Sequence, residues 1–156
     1  MRVGIGFDAH AFDDARSLVL GGVRIPGAPG LSGHSDGDVL SHAIADALLG
    51  AVGLEDLGAR FPADDRWRNA SSLEILEVVA ADVGATRYSI ANVDATVIAE
   101  RPRLASHRKA MSTALSNVLG IPAADVSIKA TTTDGLGFSG RAEGMAALAV
   151  ALVATR

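Results

Sequence analysis

Residues 34–53, HSDGDVLSHAIADALLGAVG, carry the clearest helical pattern in the chain. The apolar residues that recur there at the spacing of one helix face are Val39, Leu40, Ala43, Ile44, Ala47 and Leu48. Ser35 or Asp36 can cap the start of this helix, and Gly53 can end it. The segment therefore predicts an amphipathic helix that packs its apolar face against the rest of the chain.

Strands and helices alternate on both sides of this helix. The other predicted elements are strands over 2–7, 17–25, 88–99 and 125–131, and helices over 71–84 and 102–120. The Gly and Pro residues of 26–33 predict a loop. The segment 144–154 is ambiguous, because its alanines favour a helix while its apolar run also suits a buried strand. This alternation predicts an α/β-type layered domain.

The composition of the chain excludes several classes of protein function. The chain has 156 residues, the usual size of one domain, so we expect a single domain over 1–156. Hydrophobic residues make up 49% of it, and a formal charge of −4 argues against nucleic-acid binding. The lack of cysteine excludes disulfides and thiolate metal sites. No stretch predicts a membrane span or a signal peptide, so we expect no membrane partner and a cytoplasmic location.

A first group of polar residues suggests a metal site. Asp8 and His10 end the first predicted strand and, being two residues apart, point to the same side. His42 lies on the polar side of the first helix, between Asp38 and Asp46 at spacings of four. Two histidines and one aspartate can hold a divalent cation and leave a fourth position open. Asp46, one turn after His42, could hold a metal-ligating side chain in place without touching the metal. Alternatively, Asp8 only ends a strand and both histidines are solvated.

Three loops offer further polar groups. Residues 33–38, GHSDGD, enter a helix and can bind a phosphate or simply cap the helix. Residues 129–141, KATTTDGLGFSGR, can present hydroxyls and backbone donors to phosphate or a polar ring, or form a solvated turn. Residues 56–58 with 61–65 can contact a sugar diol or a second metal, or form a solvated acidic turn.

Six segments, in order, resemble one enzyme family. They are GIGFDAHAF (4–12), LGGVRIP (20–26), GHSDGDVLSHAIADALLGA (33–51), DLGARFPADD (56–65), NVDATVIAERPRL (92–104) and KATTTDGLGFSGRAEGMAALAVALV (129–153). Together they resemble the 2-C-methyl-D-erythritol 2,4-cyclodiphosphate synthases of non-mevalonate isoprenoid biosynthesis. The resemblance implies an intramolecular phosphoryl transfer. It converts 4-diphosphocytidyl-2-C-methyl-D-erythritol 2-phosphate to 2-C-methyl-D-erythritol 2,4-cyclodiphosphate and CMP, which makes the chain a phosphorus–oxygen lyase.

The resemblance also implies cofactors and site residues. Asp8, His10 and His42 would hold Zn²⁺ (or Mn²⁺), and Mg²⁺ or Mn²⁺ would accompany the substrate diphosphate. His34 and Thr132 match the positions that stabilise the transition state. The implied substrate-binding residues are Asp8, Ala9, His10, His34, Ser35, Asp56, Leu57, Gly58, Phe61, Pro62, Ala63, Asp64, Asp65, Ala99, Glu100, Arg101, Pro102, Arg103, Leu104, Ala105, Thr131, Thr132, Thr133, Asp134, Phe138 and Arg141. The chain departs from the family pattern at Asp134, often Glu, and at Arg103, often Lys.

The family fold implies a four-stranded mixed sheet with helices packed on one face, an α+β arrangement in which 144–154 is a strand. Family members are homotrimers with active sites between subunits, so we expect the same assembly here. Arg141 and Glu143 would lie near the threefold axis. Some relatives bind an isoprenoid diphosphate there, and we keep that ligand as an option for this chain.

Two other functions use the same residues. A metal-dependent phosphohydrolase would use Asp8, His10 and His42 to activate water and would release a linear product. A trimeric binding module without catalysis would have no need for those three residues together with His34 and Thr132. The identity of the product separates these alternatives from the cyclase.

Overall fold

The computed structural model describes all 156 residues. The elements in chain order are β1 (Arg2–Leu20), β2 (Val23–Leu31), α1 (Val39–Val52), α2 (Leu57–Arg60), α3 (Ser72–Gly84), β3 (Tyr88–Ile98), α4 (Arg108–Leu119), a 3₁₀ turn (Ala123–Asp125), β4 (Val126–Thr131), α5 (Gly137–Gly140) and β5 (Gly144–Thr155). The ambiguous C-terminal segment is thus a strand, as the family fold implied. None of the helices has the length and apolar content needed to cross a membrane.

The five strands form one mixed sheet in the order β2-β1-β5-β3-β4. β3 and β4 run parallel, and the other neighbours are antiparallel. The α+β class and the mixed sheet are confirmed, but the count of four strands was wrong. The segment 17–25 is not one strand, because Gly21 and Gly22 adopt φ values of 55° and 73° and reverse the chain. The strand that follows, β2, continues through most of the predicted loop 26–33.

The first strand changes partner partway along its length. Residues 2–11 pair with β5, and the ladder with β2 begins at Phe12. Residues 8–16, for which the sequence predicted no strand, therefore belong to one long strand. Asp8 and His10 lie just before the exchange of partners, at the end of the β1–β5 ladder. This position brings both side chains to an edge of the main sheet.

Two glycines let α1 lie directly on β1. A Cβ on Gly4 would stand 1.8 Å from the Ala47 carbonyl oxygen, and one on Gly6 would stand 2.0 Å from that of Ala43. No larger residue fits at either position without moving the helix. The helices α1, α3 and α4 cover this face of the sheet and bury the core against it. Helices on one face were predicted, and the structure confirms them.

The N-cap of α1 is Asp38, where the sequence suggested Ser35 or Asp36. Its carboxylate is fully buried and accepts the N–H groups of Gly21, Gly22 and Ser41 at 2.8–3.0 Å. Burial raises the pKa of Asp38 in spite of these donors. One side chain thereby joins the β1–β2 turn to the start of α1. Gly53 ends the helix in a left-handed conformation, as predicted.

The observed bounds of α3 and α4 can be compared with those predicted from the sequence. The Ser71–Glu74 capping box of α3 is present, and the helix ends at Gly84 as expected. The helix predicted from Pro102 begins only at Arg108. Residues 102–107 form turns instead, in which the Leu104 carbonyl accepts the His107 N–H and the Leu104 side chain is buried.

The opposite face of the sheet is apolar and exposed. Val3, Ile5 and Phe7 of β1 are 65%, 68% and 56% exposed. In the β1–β5 register Ile5 stands opposite Val150 and Phe7 opposite Leu148, so the exposed side chains form one continuous patch. A patch of this kind on a folded chain marks an interaction surface.

Candidate active site

Asp8, His10 and His42 form a compact triangle of potential metal ligands. Asp8 Oδ2 lies 2.8 Å from His10 Nε2 and 2.9 Å from His42 Nδ1. The two histidine nitrogens are 3.4 Å apart. The other oxygen of Asp8, Oδ1, accepts the backbone N–H of Ala9 at 2.9 Å, and this hydrogen bond fixes the orientation of the carboxylate.

The fold explains how three residues from distant parts of the chain meet. Asp8 and His10 continue the side of β1 that carries Gly4 and Gly6, and this side faces α1. His42 precedes Ala43, whose carbonyl oxygen is the group that requires glycine at position 6. The close packing of helix on strand therefore sets the distance between the histidine of the helix and the two residues of the strand.

The donor set fits a divalent cation. Ligand atoms around tetrahedral Zn²⁺, with bonds near 2.0–2.1 Å, stand about 3.3 Å apart. The separations observed here, 2.8–3.4 Å, need to open by only a few tenths of an ångström. Two imidazoles and a carboxylate form a set of three protein ligands that leaves one position open for another oxygen.

The charges of the triangle reinforce one another. Burial acts to raise the pKa of Asp8, but hydrogen bonds to His10 and His42 hold it well below its usual range. Burial acts to lower the pKa of His42, and the Asp8 carboxylate outweighs burial and raises it. The metal-free cluster therefore favours an ionised Asp8, which attracts a proton onto the Nδ1 atom of His42 that a metal would use.

The buried side of His42 faces hydroxyl groups. His42 Nε2 lies 3.0 Å from Ser35 Oγ and 3.0 Å from Ser72 Oγ. Ser72, at the start of α3, is completely buried and also contacts Asp36. Sequence reasoning assigned no role to Ser72 and treated Asp36 only as a cap of α1. The capping pattern that located the start of α3 is the sole sequence signal near this contact.

The triangle opens into a cleft of about 320 Å³, a size that suits a small phosphorylated ligand. The predicted site residues that line it are Asp8, His10, His34, Ser35, His42, Leu57, Gly58, Phe61 and Ala63. Three further lining residues, Asp46, Trp67 and Ile75, were not among the predicted substrate contacts. Trp67 packs edge-on against Phe61 with ring centroids 4.8 Å apart, so the two aromatic rings form one wall.

Arg16 holds the loop that carries His34 and Ser35. Its guanidinium donates to the Gly33 carbonyl at 2.6 Å and to the Ser35 carbonyl. The His34 ring contacts the Asp64 carbonyl, and the His34 carbonyl accepts the Asn69 N–H at 2.8 Å. Sequence reasoning missed Arg16, because nothing in its local pattern distinguishes it from a solvated residue of a hairpin.

Two carboxylates near the cleft, Asp46 and Asp56, accept hydrogen bonds from backbone N–H groups. Asp46 accepts the Leu57 N–H at 2.7 Å, so it anchors the 56–61 loop, a contact that differs from support of a metal ligand. Asp56 caps α2 by accepting the Ala59 N–H at 2.9 Å. Asp65 points outward and pairs with Arg68 at 2.7 Å. Pro62 and Asp64 are exposed on the same loop, and Ala9 lies on the opposite face of β1.

A second group of predicted residues forms a loop cluster beyond β3 and β4. Glu100 accepts the Thr133 N–H at 3.0 Å, the Thr133 hydroxyl at 3.3 Å and the Gly135 N–H at 3.4 Å. Thr132 donates to Asp134 at 3.2 Å, and Arg141 pairs with Glu143 at 2.8 Å. The Ala99 N–H donates to the Thr131 carbonyl at 3.0 Å, so the two loops start side by side. The predicted residues of this group lie at the end of β4, on the loops after β3 and β4, and in or beside α5: Ala99, Glu100, Arg101, Pro102, Arg103, Leu104, Ala105, Thr131, Thr132, Thr133, Asp134, Phe138 and Arg141.

The two groups lie at the same end of the sheet. Phe138 of the second group lines a small cavity with Ala9 and His10 of the same chain. The register aligns Ala9, Ala146, Ile98 and Thr131 in one row across the strands. Three ladder steps separate β1 from β4, which is on the order of 14 Å at the usual strand spacing. None of the second group lines the cleft around the triangle. The main cleft of a single chain is therefore lined by the first group alone.

Comparison with known proteins agrees with this geometry. The model of the YgbB family matches residues 1–154. The 2-C-methyl-D-erythritol 2,4-cyclodiphosphate synthase of Rubrobacter xylanophilus is 54% identical, over 97% of this chain and 94% of that protein. The enzyme of the same name from Marinobacter nauticus is 51% identical, over 98% and 97%.

A solved structure gives the same result in three dimensions. The IspF protein of Plasmodium falciparum, in complex with CDP, superposes with a TM-score of 0.86 and 34% identity over 99% of this chain and 96% of that one. Both the sequence matches and the structural match extend over nearly the whole length of each partner. The chain therefore belongs to the YgbB family, the family of these 2-C-methyl-D-erythritol 2,4-cyclodiphosphate synthases.

Proposed function

We propose that the chain, as one domain of residues 1–156, converts 4-diphosphocytidyl-2-C-methyl-D-erythritol 2-phosphate to 2-C-methyl-D-erythritol 2,4-cyclodiphosphate and CMP. The observation that carries this proposal is the Asp8–His10–His42 triangle at the base of a cleft in a chain of this family. The 2-phosphate of the substrate attacks its own β-phosphorus, the bond to the CMP phosphate breaks, and the ring closes. The substrate supplies the nucleophile, so the protein needs to supply position and charge.

Asp8, His10 and His42 would hold Zn²⁺, or Mn²⁺, through Oδ2, Nε2 and Nδ1. A bound cation supplies Lewis-acid polarisation of the β-phosphate and offsets its negative charge. Mg²⁺ or Mn²⁺ would accompany the diphosphate mainly through substrate and water oxygens, as hard cations prefer. The fixed carboxylate of Asp8 and the buried position of His42 preorganise the protein ligands.

The cleft residues would hold the methylerythritol phosphate. His34 and Ser35 lie on the loop that Arg16 clamps, so they can present donors to a phosphate without a large change in shape. Residues 56–58 and 61–65 would surround the methylerythritol, with the Asp56 carboxylate on a hydroxyl. The Phe61–Trp67 wall would exclude water from one side of the reacting diphosphate.

The second group would hold the cytidine and its phosphates. Residues 99–105 and 131–134, with Phe138 and Arg141, surround an exposed turn that Glu100 ties together. Thr132 is exposed and its hydroxyl faces Asp134, so it can turn toward a phosphate oxygen. It would stabilise the charge that develops during transfer, together with His34.

The active site would form between neighbours in a homotrimer. The triangle of one chain would face residues 131–134, the threonine loop, of the next. The exposed apolar patch on the sheet supports this assembly, because three such patches can cover one another around an axis. Asp94 lies beside the patch, and its Oδ1 is shielded and has no hydrogen-bond partner within the chain.

Phosphorus NMR tests the proposed reaction. The purified protein is incubated with Zn²⁺, Mg²⁺ and 4-diphosphocytidyl-2-C-methyl-D-erythritol 2-phosphate. We expect two mutually coupled diphosphate signals from the cyclic product, together with CMP. A linear phosphate product would indicate the hydrolase instead, and unchanged substrate with metal bound would indicate a binding module.

A further inference from the structure

The least explained polar contact of the site lies behind His42. Its Nδ1 faces Asp8 and His10, while its Nε2 points into the protein toward Ser35 and Ser72. Ser72 is completely buried, and His42 is 7% exposed. A neutral imidazole carries its single ring proton on one of its two nitrogens. The other nitrogen has the free lone pair that can bind a metal.

The direction of the Ser72 hydroxyl is set by Asp36. A carboxylate can only accept hydrogen bonds, and Asp36 Oδ1 lies in close contact with Ser72 Oγ. The second oxygen of Asp36 accepts the Ser72 backbone N–H at 2.9 Å, so both Asp36 oxygens are held against the start of α3. The single hydroxyl proton of Ser72 therefore points to Asp36. Ser72 Oγ can face His42 only with a lone pair.

We propose that Asp36 and Ser72 are positioning residues that hold the ring proton of His42 on Nε2. The lone pair of Nδ1 is then aimed at the space between Asp8 and His10, where the proposed metal binds. The chain of contacts runs from Asp36 through Ser72 to His42 and ends at the metal-binding nitrogen. This inference rests on the proposed metal site and adds two residues that do not touch the metal or the substrate.

The contact matters because Asp8 favours the wrong tautomer. Its Oδ2 lies 2.9 Å from His42 Nδ1 and would accept a proton held there, which would close the site to a cation. Ser35 cannot decide the matter alone, because its hydroxyl can donate to Nε2 as readily as accept from it. Ser72 can only accept a hydrogen bond from His42. The Asp36–Ser72 pair therefore favours the tautomer with the proton on Nε2 and a free lone pair on Nδ1.

Asp36→Asn tests the direction of the chain. The amide can satisfy the Ser72 N–H with its oxygen only by turning its NH₂ toward Ser72 Oγ. That orientation frees the Ser72 proton to donate to His42 Nε2 and drives the ring proton to Nδ1. It also places the NH₂ near the Asp38 N–H, which makes a longer contact of 3.2 Å with Asp36 Oδ1. Ser72→Ala removes the acceptor without reversing it.

The measurement is Zn²⁺ affinity, from competition with a chromophoric chelator, on the full chain. We expect the dissociation constant to rise about 10- to 100-fold in both variants, the usual effect of losing a partner of a metal-ligating histidine. Asp36→Asn should be the weaker binder of the two, because it reverses the polarity of the contact. The Co²⁺ absorption spectrum of each variant should show an altered ligand field.

Ser116→Ala is the matched control, because Ser116 is also buried but donates to Thr113 within its own helix. Its zinc affinity should equal that of the unmodified chain. Thermal unfolding of each metal-free variant separates a loss of fold from a loss of affinity. Folded Asp36→Asn and Ser72→Ala chains that bind Zn²⁺ within about twofold of the unmodified chain would overturn the proposal. The NMR assay on the unmodified chain tests the proposed reaction separately.

Discussion

The Asp8–His10–His42 triangle and the threonine loop lie at the same end of the sheet, yet the chain builds them differently. The triangle joins a strand to a helix through packing that glycine allows, and its inner member His42 is buried. The threonine loop follows the ends of β3 and β4, and Thr131 and Thr132 are exposed. The triangle is built from contacts within the chain, whereas the threonine loop presents its hydroxyl groups outward.

This difference indicates which properties depend on the assembly. In the proposed assembly, metal binding uses contacts within one chain and should survive when chains separate. The proposed turnover uses both groups, and the strands that carry them stand on the order of 14 Å apart across the sheet of one chain. The following changes affect the triangle, the assembly, the threonine loop and the protonation of the triangle in turn.

The largest effect should come from His42→Ala. Removing one of three protein ligands should release the cation and lower turnover by about 1,000-fold or more, equivalent to about 4 kcal/mol of transition-state stabilisation. The cyclic product is followed by phosphorus NMR and bound zinc by atomic absorption. The chain should still assemble, since His42 lies away from the apolar sheet face. Near-normal turnover would contradict the metal assignment.

Ile5→Asp should separate the two groups of site residues that the proposed assembly joins. A carboxylate in the centre of the apolar patch cannot be buried against another copy without a large cost, so the trimer should dissociate. Turnover should fall by about 100-fold or more, while Zn²⁺ affinity stays within about threefold. Analytical ultracentrifugation gives the assembly state. Leu54→Asp is the control, because Leu54 is also an exposed apolar residue but lies after α1, away from the sheet. A monomer with full activity would contradict the shared site.

Thr132→Ala should slow the chemical step without removing the nucleotide. Loss of one hydrogen bond to a charged phosphate oxygen should lower the single-turnover rate roughly 10- to 100-fold. CMP affinity, measured by calorimetry, should change much less, because the other groups of the loop remain. A loss of CMP affinity with an unchanged single-turnover rate would assign Thr132 to binding alone.

The smallest effect concerns pH. The pKa of His42 is raised above 6.5 by Asp8 in the metal-free chain, so its contribution to stability is present below that value and is lost as pH rises through the folded pKa. The pKa of Asp8 is lowered, so its contribution is lost only in acid. His10, Asp36 and Asp38 are the other ionisable groups near the ring.

The metal-free chain should therefore unfold at lower temperature as pH rises above about 6.5, by a few degrees. The zinc-loaded chain should show the opposite trend, because metal binding displaces the proton from His42 and strengthens as pH rises. Scanning calorimetry with and without zinc measures both. Parallel pH profiles for the two forms would contradict a shared role of His42 in the ion pair and in metal binding.

Sequence patterns predicted the parts of the molecule that depend on local chemistry. The period of the apolar residues gave α1, Ser71 and Glu74 gave the start of α3, and the spacing of Asp8 and His10 gave two of the ligands. The family resemblance settled the C-terminal strand, which periodicity left open. The long first strand was missed because its outer half is polar and pairs only with β2.

Contacts between distant residues could not be read in this way. Arg16, Ser72 and Trp67 reach the site only because the hairpin, α3 and the 61–70 loop pack around the first helix. Ser35 and Asp36 looked suited to cap α1, but Asp38 is the cap. The separate roles of the two aspartates depend on the positions of Gly21, Gly22 and the start of α3. Local patterns locate such residues but do not assign their partners.

Mixing two impaired chains tests most directly the proposal that each active site is shared. His42→Ala chains keep an intact threonine loop, and Thr132→Ala chains keep an intact triangle. After the two are denatured together in equal amounts and refolded, about a quarter of the sites in random trimers should combine both intact halves. The account predicts recovery of about a quarter of the normal turnover. A mixture no more active than the average of the two separate variants would contradict it, since that result places both halves of the site in one chain.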